Sequence, residues 1–193
     1  MQQREVRALA APIEVRADSR TATGYAAVYN SIADIGGYFN EQIAPGAFDG
    51  TLGGDIRALF NHDTAHVLGR TIAGTLRLAS DDRGLAVEID MPDTSMARDL
   101  AVSMTRGDIS GMSFGFNVTK QTWDESGPVI LRTIEAVELF EVSIVTFPAY
   151  DATDVAVRSL EQYKREQRTH NFNAAARRLK MKTAIRLASK AQG

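Results

Sequence analysis

Gly111-Met112-Ser113-Phe114-Gly115-Phe116 alternates small and large residues, and that alternation decides how the fold is read. A period of two predicts a β-strand with Met112, Phe114 and Phe116 on one face, anchoring it in a core. Ser113 and Gly115 share the other face with Gly111. Glycines beside a serine predict open space around the hydroxyl and let a backbone approach closely. A serine so placed is a candidate nucleophile, or equally a small filler.

Working outward, the strand is preceded by the clearest helix, Thr94 to Arg106. Asp93 or Thr94 can cap its start and Gly107 can end it. Ala97, Leu100, Ala101 and Met104 form its buried stripe. Earlier still, Arg4 to Arg16 reads as an edge strand interrupted by Pro12, and Gly24 to Tyr29 as a second strand. Ser31 to Gly54 is rich in Gly, Asn, Asp and Pro and predicts a long loop with at most a helical turn near Pro45. Ile56 to His62 is a strand ending in polar residues. Thr71–Ala79 and Gly84–Met91 form a hairpin. After the opening strand, Trp123 to Pro128 predicts a turn, with two further strands at Val129–Ile134 and Val137–Phe147. Seven or so strands with one or two short helices make a β-rich α+β chain, a sandwich or a barrel.

The 193 residues carry a net charge of −2 that conceals a split. From Ser159 onward there are nine Lys/Arg against two Asp/Glu, whereas the preceding residues hold 13 against 22. The expected organisation is therefore an acidic body, 1–158, and a basic helical tail, 159–193, broken near Asn171-Phe172-Asn173. With no cysteine, disulfides, cysteine-ligated zinc and thiol nucleophiles are excluded. The polar start Met1 to Glu5 predicts no secretory signal, and no apolar run approaches the roughly 20 residues that span a bilayer.

Histidine is scarce: His62, His66 and His170. His170 falls in the tail and reads as a solvated helix residue. His62 ends an apolar strand, where its ring is either structural or a general base. His62 and His66 have the i, i+4 spacing of helical zinc sites, with Asp63 in the place of a base, but the surrounding pattern is that of a strand. A serine nucleophile needs a base, and the base needs a group to orient it. The acidic candidates in the late strand are Glu141, which shares a face with Ser143, and Glu138 on the opposite face. An ordinary salt bridge with arginine is the alternative for either.

Leu59-Phe60-Asn61-His62-Asp63, Gly111 to Phe116, and Glu141-Val142-Ser143-Ile144-Val145-Thr146-Phe147-Pro148-Ala149 come in this order and spacing. With Gly24 to Tyr29 and Ile43 to Phe48, they resemble the prohead maturation proteases of tailed bacteriophages, relatives of herpesvirus assemblin. The resemblance covers about Thr21 to Arg158. It implies a serine endopeptidase on a partly closed, mostly antiparallel β-barrel with peripheral helices and no cofactor. The family's nucleophile falls on Ser113 and its base on His62. The assemblin branch has a histidine as third member, and none here fits. The phage branch has an acidic residue, which falls on Glu141 with Glu138 as rival.

The resemblance also implies a capsid or scaffold protein as substrate, self-cleavage, self-association, and action in the host cytoplasm inside the assembling prohead. Oxyanion donors would be backbone N–H groups near the glycines, with Arg132 and Arg106 as other candidates. The glycines would give room for the substrate backbone. The basic tail would bind acidic scaffold, be trimmed away, or attract nucleic acid phosphates. Against the protease stand a noncatalytic β-barrel interaction module and a His62/His66 metallohydrolase.

Overall fold

A computed structural model describes residues 4–10, 13–16, 20–148 and 154–190. The chain divides into two units, Met1–Thr153 and Asp154–Gly193. The first is strand-rich α+β.

Its larger sheet begins with β1 (Glu5–Ala10), which pairs antiparallel along β10 (Gly111–Asp124), which pairs antiparallel with β11 (Leu131–Val145). The early half of β11 pairs in parallel with β5 (Phe39–Ile43), itself flanked by β4 (Ala33–Ile35). The late half pairs in parallel with β6 (Arg57–Phe60), flanked by β7 (Asp63–Arg70). The smaller sheet runs β2 (Glu14–Arg16), β3 (Thr21–Val28), β9 (Gly84–Asp90), β8 (Leu76–Ser80). The two sheets of seven and four strands stay open and separate, so the expected barrel is met only as a strand-rich α+β fold.

The predicted anchor holds. Met112, Phe114 and Phe116 are buried, with Phe114 stacked on Phe116 at 4.8 Å and edge-on to Phe48 at 5.5 Å. The helix α1 (Ser95–Arg106) forms as expected. The Thr94 hydroxyl accepts from the Ala97 N–H, and Gly107 ends the helix at φ 82°. Ala97, Leu100 and Met104 are buried beneath it.

Several expectations are corrected. Ser31–Gly54 is not one loop, because Phe39 and Ile43 bury on alternate positions of β5 and tie that segment to β11. The first predicted strand is two, β1 and β2, on the edges of different sheets; Pro12, the expected cause of the interruption, lies outside the described residues. The two late strands merge into the continuous β11, with register shifts around Lys120 on β10 absorbing the irregularity. Trp123 stays in strand opposite Arg132, its ring edge-on to Phe39 at 5.0 Å.

The second unit is the helix α2 (Asp154–Lys190), which runs through Asn171-Phe172-Asn173 without a break. Neither Asn nor Phe carries the helix penalty of Gly or Pro, so three such residues do not stop it. His170 is exposed on it, as expected. Among the described residues no helix is long and apolar enough to cross a membrane.

Candidate active site

The strands β6 and β7 are joined by a two-residue turn, Asn61-His62, since Phe60 pairs directly with Asp63. Both turn residues are left-handed, at φ 51° and 60°. That is the geometry a tight hairpin with right-twisted strands demands. Asparagine tolerates it, whereas histidine takes it at a cost characteristic of functional positions. Asn61 fastens the turn to the end of β11. Its N–H donates to the Ile144 carbonyl at 2.9 Å, its Nδ2 donates to Thr146 Oγ1 at 3.1 Å, and its Oδ1 accepts from the Thr146 N–H at 2.9 Å. His62 therefore does not end a strand. It sits at a pinned turn, and the signal for it was Asn preceding the histidine.

From there His62 Nδ1 meets Glu141 Oε1 at 2.7 Å. Glu141 is only 2% exposed, while the His62 side chain is 30% exposed, so the pair joins a buried anion to an open ring. The other carboxylate oxygen, Oε2, accepts from Ser143 Oγ at 2.5 Å. The Arg4 guanidinium also contacts Oε1 and lies 5.9 Å over the Phe140 ring. Burial pushes the Glu141 carboxyl up, but the hydrogen bonds from His62 and Ser143 and the charges of His62 and Arg4 outweigh it. Glu141 is held below the usual carboxylate range.

The β10–β11 register places Ser113 directly opposite Ser143, and Gly115 opposite Glu141, on the shared face. Ser113, Ser143, Glu141 and His62 are thus gathered at one place. The predicted open space is not there. Ser113 is fully buried, and its hydroxyl donates to the Arg7 carbonyl of β1 at 2.8 Å. A Cβ added at Gly115 would stand 2.5 Å from Arg4 Nη2 and 2.7 Å from Glu141 Oε1. One added at Gly111 would stand 2.8 Å from the Pro148 ring. The glycines admit the site's own groups rather than empty space.

The rival carboxylate, Glu138, lies on the exposed side of β11 and accepts from Asn117 Nδ2 at 3.4 Å. Arg132 is not available to an oxyanion: it is buried, and its guanidinium donates to Glu5, Glu41 and Gln121. Arg106 pairs with Asp108 at the surface. His66 pairs with Asp63 at 3.0 Å within β7, away from the partner of His62, so the helical spacing of a zinc site is not realised. Sequence reasoning assigned no role to Ser143, Arg4 or Asn61. The signal for Ser143 was present, since a serine two positions after Glu141 on a strand must share its face.

His62 is held by a buried carboxylate, and Ser113 lies on the same ladder face two residues along from that carboxylate's partner, so the group types that a serine-type hydrolytic site needs stand on adjoining elements. Residues 10–166 match the family described as caudovirus prohead serine protease, and the chain belongs to that family. It is 35% identical over 139 residues to the Prohead protease of Enterobacteria phage HK97. That match covers 69% of this chain and 57% of the relative, so the chain spans little more than half of the relative's length. No solved structure matches it.

Proposed function

We propose that the chain is a serine endopeptidase of prohead maturation, with Ser113 as nucleophile, His62 as general base and Glu141 as the orienting carboxylate. The observation that carries this reading is the 2.7 Å contact between His62 Nδ1 and buried Glu141, two ladder rows from the Ser113–Ser143 pair and on the same face, in a chain of this family. In the reaction, Ser113 exchanges its Arg7 carbonyl acceptor for His62 Nε2, and Oγ attacks the scissile carbonyl as His62 takes its proton. Glu141 stabilises the imidazolium. His62 then protonates the leaving amine, and water repeats the sequence on the acyl-enzyme. Backbone N–H groups receive the oxyanion.

The substrate is the amino-terminal segment of a capsid or scaffold protein, met in the host cytoplasm inside the assembling prohead. The chain trims itself, with 1–158 as the protease and 159–193 as a removable basic tail that also attracts nucleic acid phosphates. The protease self-associates. The two open sheets are read as a barrel parted along its seams, supported by the packing of β3 against β1 and β10.

A second reading, a noncatalytic interaction module, is favoured by the full burial of Ser113 and its bond to Arg7. Co-expression with the native capsid protein separates the two. The protease produces defined cuts that vanish in Ser113→Ala, whereas the module cuts nothing in either form.

A further inference from the structure

Ser143 is fully buried, and its single O–H is spent on Glu141 Oε2. No step of the proposed reaction uses it. We infer that Ser143 is a positioning residue that acts on His62 through Glu141, an inference resting on the triad reading above.

A glutamate side chain has three rotatable bonds, and a single contact at Oε1 leaves its carboxylate free to turn. Two anchors on different oxygens fix the plane: His62 on Oε1 and Ser143 on Oε2. The anchor is built into β11, whose late half is flanked by β10 and β6, whereas Arg4 stands near the start of β1 with a side chain 44% exposed. The groups facing Glu141 are few. Arg4 comes from the residue just before β1 and His62 from the turn. Gly115 on β10 offers no side chain. Arg57, its ladder partner on β6, turns its guanidinium to Asp55. Ser143 is thus the one hydroxyl donor described on this carboxylate, and the one on Oε2.

Removing that donor makes Glu141 more basic and frees it to rotate. A carboxylate free to turn no longer holds the imidazole in one orientation, so His62 is less often in line with Ser113. Because hydrogen bonds to charged groups are strong, the loss is expected to be about 10- to 100-fold in rate.

The experiment uses the full chain and a fluorophosphonate probe, which phosphonylates an activated serine with loss of fluoride. Ser143→Ala should lower the maximal labelling rate at Ser113 by that factor and leave half-saturation unchanged. The downfield His62 Nδ1 proton resonance should move or broaden. Ser143→Thr, which keeps the hydroxyl, should restore both. In a Glu141→Gln background, Ser143→Ala should add little, since both changes act through one carboxylate.

Labelling rate and His62 resonance unchanged in Ser143→Ala, with Glu141→Gln impaired, would overturn the positioning role and leave the triad standing. The positioning role fails equally if Ser143→Ala costs the full factor in the Glu141→Gln background, or if Ser143→Thr restores neither rate nor resonance. A parent chain whose Ser113 the probe never labels would overturn the triad reading itself, and the Ser143 role with it.

Discussion

Two polar clusters meet on β1, and they are built on opposite plans. Glu5 and Arg7 of β1 join Glu41 of β5 and Arg132 of β11 in a closed ring of charges, none more than 3% exposed. Arg7 donates to Glu5 at 2.7 Å and to Glu41 at 2.6 and 3.0 Å, and Arg132 donates to both carboxylates at 2.9 Å. Every charge there is answered by an opposite one, and no side chain of the ring reaches solvent. The cluster around Glu141 is instead a line. It starts at a buried neutral hydroxyl, Ser143, passes through one carboxylate, and ends on the half-open ring of His62. A closed ring can only hold the sheet together. An open line has a terminus exposed to solvent, where a proton can be given and taken, and on this difference rests the proposal that the ring is structural and the line chemical.

The contrast can be broken at either end. The largest effect is expected from Glu141→Gln, which keeps the shape but loses the charge to which the proposal gives the orienting role. On the proposed function, cleavage of a co-expressed capsid protein should fall by about 10⁴-fold in single-turnover assays. Glu138→Gln, on the exposed side of the same strand, should change it little.

Arg132→Ala should do the reverse. It leaves two buried carboxylates to share Arg7 and is expected to cost about 3–5 kcal/mol in urea unfolding. Gly115→Ala comes next. Its methyl would be forced between Arg4 and Glu141, and overpacking of this kind costs about 1–3 kcal/mol with loss of activity.

Acid probes both clusters at once. Burial pushes the Glu5 carboxyl up, but hydrogen bonds and charges from Arg132 and Arg7 outweigh it, so Glu5 lies below its ordinary 4.5, as Glu141 does. Depressed carboxylates stabilise the fold fully above the unfolded value and lose that contribution as pH falls through their folded values. Urea midpoints should therefore be flat above about pH 5 and fall below about pH 4.5. The smallest effect is expected from Arg4→Ala. Its partly exposed guanidinium contributes at most about 1 kcal/mol to stability.

Much of this was legible in the sequence because it depends on local periodicity. The alternation of Gly111 to Phe116 specifies a strand and its core face, and the Thr94 and Gly107 caps bound α1. The motifs and their order singled out Ser113, His62 and Glu141, and of these His62 and Glu141 are in contact. What was hidden depends on contacts distant in sequence. Nothing in Arg4 to Ala10 announces that β1 will lie along β10 and put the Arg7 carbonyl on the Ser113 hydroxyl. Glu41 and Arg132 are 91 residues apart, so no pattern links them. The glycines at 111 and 115 signalled close approach correctly, but not which group approaches. That was decided by Pro148, Arg4 and Glu141.

The central claim is that Ser113 becomes a nucleophile through the line Ser143–Glu141–His62. Its most direct measurement is the intact mass of this chain and its native capsid protein after co-expression, for the parent and for Ser113→Ala. Discrete cuts in the parent, absent from a Ser113→Ala chain that folds equally well, are the predicted result. The same cuts in both would contradict it.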